Sequence, residues 1–291
     1  MNIEQYTDLP DGRRLAFAEF GDPAGTPVIY FHGSPSSRLE PLLVGYDVWK
    51  GLGLRVIAPD RPGIGRSDFQ PNRRFSDWPD DVVALAESLR LSTFAVLGNS
   101  GGGPYVSVCA AMIPERITSA VIVSGGWQMN LPEAKENMPF PNRLFLFFAA
   151  YSSPLVRLML KVMAGSQMGD RDKELTKMKA RVPAPDYEAF AKPGRVEALH
   201  ETIRESICNG TKGAAWDLGM YMREFDFDLS EVKMPITLFH GEKDVNAPIG
   251  LARRVSSQLS DGRLITFESE AHFSTLCNQV DEIAHALRDH G

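Results

Sequence analysis

Residues 94–103 read FAVLGNSGGG, and this stretch decides the fold of the 291-residue chain. Its first four residues are apolar and β-prone, which predicts a short buried strand, and the small residues that follow predict a helix packed on a sheet. Between the two lies the pattern G-x-S-x-G, formed by Gly98, Ser100 and Gly102. A sharp turn from strand to helix projects such a serine above the sheet, at a helix N-terminus that favours developing negative charge. We therefore predict that Ser100 is a nucleophile.

Similar short apolar runs recur on both sides of this stretch. Each is rich in Val, Ile, Leu or Phe and is closed by turn residues, which is typical of parallel strands buried on both faces. In the first half of the chain they alternate with helical patterns, which predicts a doubly wound parallel sheet, and residues 12–20 alternate as an antiparallel edge hairpin does. The predicted parallel strands are residues 28–31, 54–58, 94–97, 120–123, 236–239 and 264–267.

The strand pattern stops between residues 127 and 228. Helices are predicted there at residues 154–163, 170–180, 195–208 and 212–225. The insertion follows the carboxyl end of a strand, and open α/β sheets bind their ligands at that edge. We therefore predict a core of residues 1–126 and 229–291, with a helical cap, or lid, of residues 127–228.

A nucleophilic serine needs a base, and the base needs an acid that orients it. His272 follows the last predicted strand, so we expect it on a loop at the sheet edge that carries Ser100. Asp244 follows the predicted strand 236–239 and is the expected acid. Glu242 is a competitor, but its position is less favourable.

Acyl transfer also needs two N–H groups that hold the negative oxygen of the intermediate. Gly101, which directly follows the nucleophile, is expected to supply one. The loop after the strand 28–31 is expected to supply the other, through Ser34 as first choice and Gly33 as second choice. A cis peptide bond before Pro35 would fix this loop.

Five motifs together resemble the α/β-hydrolase superfamily: HGSP (32–35), DRPGIGRSD (60–68), GNSGG (98–102), HGEKD (240–244) and AHF (271–273). The resemblance implies an α/β-hydrolase fold, a mostly parallel, doubly wound, eight-stranded sheet with an inserted helical cap. The chain order Ser100, Asp244, His272 is the order of this superfamily. In DRPGIGRSD, we expect Asp60, Arg61 and Gly63 to build a turn that supports the catalytic loops.

The chain is similar to the capped branch that includes epoxide hydrolases, haloalkane dehalogenases, proline iminopeptidases, perhydrolases and many small-molecule esterases. Epoxide hydrolases and dehalogenases carry Asp at the nucleophile position, so Ser100 argues against both activities. Proline iminopeptidases differ around the nucleophile, where this chain has Asn99 and Gly101.

The insertion is rich in Met and Phe, which predicts an apolar and tolerant pocket. The candidate pocket residues are Asn99, Trp127, Phe145, Phe148, Trp216, Met220 and Phe273. Together these features predict a serine hydrolase of a carboxylic ester, thioester or lactone. Alternatives are a carbon–carbon bond hydrolase or a cofactor-free perhydrolase on the same triad, and a ligand receptor or signalling protein with slow turnover.

The composition of the chain limits the classes of molecule that it is expected to bind. The net charge is −6 and Lys and Arg are not clustered, which argues against nucleic-acid binding. No apolar run reaches the roughly 18 residues of a membrane span. The three cysteines, Cys109, Cys208 and Cys277, are far apart and fit neither a disulfide framework nor a metal knuckle, and the first residues form no signal peptide. We expect a cytoplasmic monomer or homodimer that acts on a small-molecule substrate and needs no metal or organic cofactor.

Overall fold

A computed structural model describes residues 2–136, 138–165 and 171–288 and places eight strands in one sheet. The strands are β1 (Asn2–Asp8), β2 (Arg14–Gly21), β3 (Thr26–Phe31), β4 (Leu54–Pro59), β5 (Phe94–Asn99), β6 (Ile117–Val123), β7 (Ile236–Gly241) and β8 (Gly262–Phe267). Their order across the sheet is β1-β2-β4-β3-β5-β6-β7-β8. The β1–β2 and β2–β4 pairs are antiparallel and all others are parallel, so the predicted mostly parallel sheet with an antiparallel edge is confirmed.

The helices are, in chain order, α1 (Tyr46–Gly51), α2 (Trp78–Ser88), α3 (Gly103–Met112), α4 (Phe140–Tyr151), α5 (Ser153–Gly165), α6 (Arg171–Lys179), α7 (Ala184–Ala191), α8 (Arg195–Ser206), α9 (Lys212–Met220), α10 (Ile249–Gln258), α11 (His272–Asn278) and α12 (Val280–Arg288). The predicted helix at residues 170–180 corresponds to α6, and residue 170 lies outside the described residues.

The central strands are apolar on both faces because both faces are covered. Alternate residues of β3 show this: Ile29 and Phe31 pack with α2 and α3 on one side, and Val28 and Tyr30 pack with α1 and α12 on the other. Burial on both sides explains why these strands are continuous apolar runs. The result is a doubly wound sheet whose carboxyl edge carries the loops described below.

The chain between β6 and β7 is the helical insertion, and it contains α4 to α9. Its described residues form no strand, as predicted. The sequence missed α4 and α7. Each of them follows a proline, and α4 is apolar almost all round, so its helical period is weak. No helix in the described ranges is both long and apolar enough to cross a membrane.

Candidate active site

Ser100 lies in the turn between β5 and α3. Its φ of 51° is in the left-handed region, which non-glycine residues rarely adopt. A Cβ atom added at Gly98 would lie 2.5 Å from the carbonyl oxygen of Gly102, and one added at Gly102 would lie 2.1 Å from that of Phe31. The two glycines of the motif are therefore required by close backbone contacts, and these contacts hold the strained turn that presents Ser100.

The structure brings Ser100, His272 and Asp244 into one hydrogen-bonded line. The Ser100 Oγ atom lies 3.0 Å from His272 Nε2, and His272 Nδ1 lies 2.8 Å from Asp244 Oδ2. Because the carboxylate can only accept, Nδ1 donates to it and Nε2 is left to accept from the serine hydroxyl. His272 is the first residue of α11, whereas the sequence predicted a loop.

Backbone hydrogen bonds to its second carboxylate oxygen hold Asp244 in place. Asp244 Oδ1 accepts hydrogen bonds of 2.8 Å from the backbone N–H groups of Asn246 and Ala247. The competing Glu242 is partly exposed and faces Arg253 at 3.8 Å instead. The geometry therefore selects Asp244 as the partner of His272.

Burial and charge act in opposite directions on this pair. Burial alone would lower the pKa of His272, but the charge and hydrogen bond of Asp244, together with Asp186 and Glu40, raise that pKa above its ordinary value. Burial alone would raise the pKa of Asp244, but the neighbouring His272 and its hydrogen bond lower it. Asp244 therefore stays ionised and stabilises a protonated His272.

The backbone nitrogen of Ser34 lies close to Gly101, the residue that follows Ser100. A Cβ atom added at Gly101 would lie 3.1 Å from the Ser34 nitrogen. Neither amide donates a hydrogen bond to another residue in the described ranges. The peptide bond between Ser34 and Pro35 is cis, as predicted. Two free donors in one place match what an oxyanion requires.

The N–H group of Gly33, the second-choice donor, is not free in the structure. It donates to Glu40, at 3.1 Å from Oε1 and 3.0 Å from Oε2. Glu40 is buried and also accepts from the Tyr30 hydroxyl and from Asn99 Nδ2, both at 2.8 Å. This carboxylate thus joins the loop that carries Ser34 to the strand end that carries Ser100.

A second buried carboxylate, Asp217 of α9, holds the other side of the same loop. It accepts from the Ser34 hydroxyl, from Arg61 Nη2 at 2.9 Å, from Tyr105 and from Arg73. Arg61 in turn donates to the carbonyl of Gly33 at 2.8 Å. Burial alone would raise the pKa of Asp217, but the two guanidinium groups hold it well below its usual range. Arg61 therefore supports the loop as expected, and the insertion supplies its counter-charge.

Two further residues of the insertion touch the site. Asp186 of α7 accepts from the N–H groups of Phe273 and Ser274, at 2.9 and 2.8 Å, and so anchors the start of α11 next to His272. The Tyr221 hydroxyl donates to the carbonyl of Gly101. The sequence reasoning missed Glu40, Asp186, Asp217 and Tyr221. For Asp217, a signal was available, because a lone carboxylate in the apolar stretch GAAWDLGM indicates a buried, paired charge.

A cavity of about 430 Å³ opens beside Ser100. Three of the predicted pocket residues line it: Asn99, Phe145 and Phe273. Most of its apolar lining comes from the insertion, namely Met129, Met138, Leu146, Met163, Leu199, Ile203, Leu218 and Tyr221. The cavity is therefore predominantly apolar, and its polar lining includes Asn99, Ser100 and His272.

The other four predicted pocket residues, Trp127, Phe148, Trp216 and Met220, do not line the cavity. Helix α9 turns Leu218 toward the cavity, and positions two residues away point elsewhere at 100° per residue. Accordingly, Met220 packs in the sheet core, and the Trp216 indole donates to the carbonyl of Arg73 at 3.0 Å.

Trp127 and Phe148 lie outside the cavity lining for separate reasons. Trp127 is buried in the sheet core, against Gly103 at the start of α3 and Gly125 just after β6. Phe148 lies further along α4 than the lining residues and packs toward α5 and α9.

Within the described ranges, no group of three or more His, Cys, Asp or Glu side chains is placed to hold a metal ion.

Comparison with known proteins places this geometry in a family. Residues 26–277 match the family model described as alpha/beta hydrolase fold. A bifunctional esterase/perhydrolase of Acinetobacter calcoaceticus is 25% identical over 287 residues, covering 92% of each chain. A non-heme chloroperoxidase of Streptomyces lividans is 27% identical over 276 residues, covering 90% of each chain.

Solved structures show the same fold at lower identity. An alpha/beta hydrolase fold protein from Nakamurella multipartita has a TM-score of 0.67 at 21% identity, over 99% of this chain and 100% of that one. A thermophilic esterase from Thermogutta terrifontis has a TM-score of 0.67 at 19% identity, over 98% and 97%. The family match spans most of the chain and agrees with the sheet order and the turn at Ser100, so this protein belongs to the alpha/beta hydrolase fold family.

Proposed function

We propose that this hydrolase cleaves a carboxylic ester, thioester or lactone of a small apolar substrate through an acyl-enzyme on Ser100. The observation that carries the proposal is the line from Ser100 Oγ to His272 Nε2 at 3.0 Å and from His272 Nδ1 to Asp244 at 2.8 Å. A serine, a base within hydrogen-bond reach and an acid that orients the base are the parts that nucleophilic catalysis requires.

Each residue has one role in the proposed reaction. Ser100 Oγ attacks the carbonyl carbon while His272 Nε2 takes its proton, and Asp244 stabilises the imidazolium that forms. The N–H groups of Gly101 and Ser34 hold the oxyanion. His272 then gives the proton to the leaving alcohol or thiol, and a water molecule activated by the same imidazole releases the acid and restores Ser100.

The substrate class follows from the cavity. We propose that residues 127–228 act as a cap over a core formed by residues 1–126 and 229–291. The cap supplies most of the apolar lining, and the core supplies polar groups that include Asn99, Ser100 and His272. An acyl or alkyl chain fits such a lining, while the ester group meets the donors.

A second activity on the same triad is perhydrolysis. One relative supports it, since it is named a bifunctional esterase/perhydrolase. In this reaction hydrogen peroxide replaces water as the attacking group, so the acyl-enzyme yields a peracid and free Ser100. No further cofactor is required.

The proposal is tested by the turnover of p-nitrophenyl esters of graded acyl length. We expect multiple turnovers by the natural chain and a loss of at least about 10³-fold in Ser100→Ala, because removal of a nucleophile leaves only binding and oxyanion contributions. Repeating the assay with added peroxide separates peracid formation from hydrolysis. Inactivity on every ester, or activity retained in Ser100→Ala, would overturn the proposal. A single turnover with no release would instead support a receptor.

The state of the three cysteine thiols bears on the cellular location of the protein. Cys109, Cys208 and Cys277 are all unpaired, and Cys109 and Cys277 are buried. Free thiols persist in a reducing environment. We therefore retain the cytoplasm as the proposed location.

A further inference from the structure

Helix α4 carries an apolar face that points away from the rest of the molecule. Phe140, Leu144, Phe147 and Tyr151 recur at the spacing of a single helix face. Phe140, Phe147 and Tyr151 are 74%, 53% and 78% exposed, and the rings of Phe147 and Tyr151 lie 4.9 Å apart. Large aromatic side chains gathered on an exposed face mark an interaction surface.

The neighbouring helix α5 has the same arrangement. Its Val156 and Leu160 are buried in a cluster with Leu218 of α9, so its inner side is already packed. Leu158 and Val162 lie on the opposite side and are 56% and 67% exposed. The outward faces of the two helices are thus not used in packing the described parts of the protein.

The charge of this segment differs from that of the whole chain. Between Glu136 and Asp170 there is no Asp or Glu, but there are three cations, Arg143, Arg157 and Lys161. In the described ranges none of the three forms an ion pair: Arg157 Nε donates to the Thr211 hydroxyl at 3.3 Å, and Arg143 donates to the carbonyls of Met138 and Lys135. The segment is therefore basic in a chain whose net charge is −6.

We propose that the outward faces of α4 and α5 dock on the surface of an anionic phospholipid membrane. Exposed aromatic and aliphatic side chains with basic residues beside them are the features of helices that lie in a lipid interface. Phe147 and Tyr151 enter the boundary between headgroups and acyl chains, and Arg157 and Lys161 meet the lipid phosphates. Docking of a second copy of this chain on the same faces is disfavoured, because it would bring like cations together.

The docked orientation has a consequence for the cavity. The inner side of α4 supplies Asn142, Phe145 and Leu146 to the lining beside Ser100. An apolar substrate dissolved in the membrane would therefore meet the protein next to its cavity. This consequence rests on the proposed function, but the docking itself does not.

Vesicle sedimentation of the full chain tests the docking. One set of vesicles is phosphatidylcholine alone, and the other is equal parts of phosphatidylcholine and phosphatidylglycerol. We expect binding to the second set only, weakened by salt. The double variant Arg157→Gln/Lys161→Gln should bind about 25-fold more weakly, since each cation near an anionic surface contributes about fivefold.

A second double variant and a control variant test how much the apolar side chains contribute to vesicle binding. Phe147→Ser/Tyr151→Ser should lose most of its binding, whereas Met112→Ser, at an apolar side chain of α3 that is 49% exposed, should bind as the natural chain does. Failure to bind phosphatidylglycerol vesicles, or equal binding by all variants, would overturn the proposal. So would a dimer that Phe147→Ser/Tyr151→Ser disperses without any vesicle binding. No readout uses ester turnover, so these failures are distinguishable from failure of the proposed hydrolysis.

Discussion

At the scale of single residues, Glu40 is the least expected participant in the site. It is buried, accepts the N–H of Gly33 and the amide of Asn99, and lies close enough to His272 to raise its pKa. The same carboxylate therefore does two things. It ties the loop with Ser34 to the strand end with Ser100, and it favours the protonated form of His272.

The pH profile of Glu40→Gln tests the electrostatic part. A nearby carboxylate stabilises the imidazolium, so its removal lowers the pKa of His272. The base works in its neutral form, so the acid limb of kcat/KM should move to lower pH in Glu40→Gln. Glu242→Gln, at a partly exposed carboxylate on the loop before Asp244, is the control and should leave the limb in place. A limb that stays fixed or moves to higher pH in Glu40→Gln would show that Glu40 has no such influence.

At the scale of elements, α9 connects the insertion to the loop that carries Ser34. Asp217 pairs with both Arg61 and Arg73, and all three side chains are buried. Removing one partner of a buried ion network leaves uncompensated charge, at a cost of about 3–5 kcal/mol. Urea denaturation of Asp217→Asn at pH 7 should show a loss of this size in the free energy of unfolding.

The control and the pH dependence sharpen this test. Glu133→Gln breaks the more exposed ion pair with Arg254 and should cost less than about 1 kcal/mol. Since the pKa of Asp217 is lowered in the folded state, its stabilisation is present above the unfolded pKa and is lost as the pH falls further. The difference from the natural chain should thus persist from pH 7 to about pH 5. If Asp217→Asn is as stable as Glu133→Gln, the network is not what holds α9.

Helix α4 allows a matched test of the cavity. Phe145 lines it and Phe148 does not, although both are phenylalanines of the same helix. Phe145→Ala should shift the preference among p-nitrophenyl esters toward longer acyl chains, because it enlarges the apolar lining. Phe148→Ala should keep the natural preference. Identical chain-length profiles for the two variants would show that Phe145 does not set the acyl-length preference.

These elements also show where sequence reasoning succeeds and where it stops. The strands could be predicted, and so could the meeting of Ser100, Asp244 and His272, because each of these features is marked by a local pattern, a short apolar run closed by turn residues. Glu40 carries no such pattern, and it meets Asn99 only after folding. The sequence around Asp217 indicates a buried, paired charge, but it does not name Arg61, which lies 156 residues away in the chain, as the partner. The orientation of Trp216 failed for the same reason, since many faces of α9 are apolar and the sequence does not say which one meets the cavity.

At the scale of the whole molecule, the contacts of the insertion predict how the protein unfolds. Asp217 lies among Arg61, Arg73 and Tyr105, which belong to the part of the chain that forms the sheet and its helices. The insertion and the sheet should therefore unfold together. Far-ultraviolet circular dichroism and tryptophan fluorescence should give coincident urea transitions, since the tryptophans include Trp49 in α1 and Trp216 in α9. Two separated transitions would show that the insertion is an independent unit.

The central claim is that Ser100 is the nucleophile, and covalent labelling tests it most directly. A fluorophosphonate probe should add one adduct to the intact mass of the natural chain, and peptide mapping should locate that adduct on Ser100. Labelling should slow strongly in His272→Ala, because the base that activates the hydroxyl is gone. An adduct on a different residue, or no adduct on a correctly folded chain, would contradict the account.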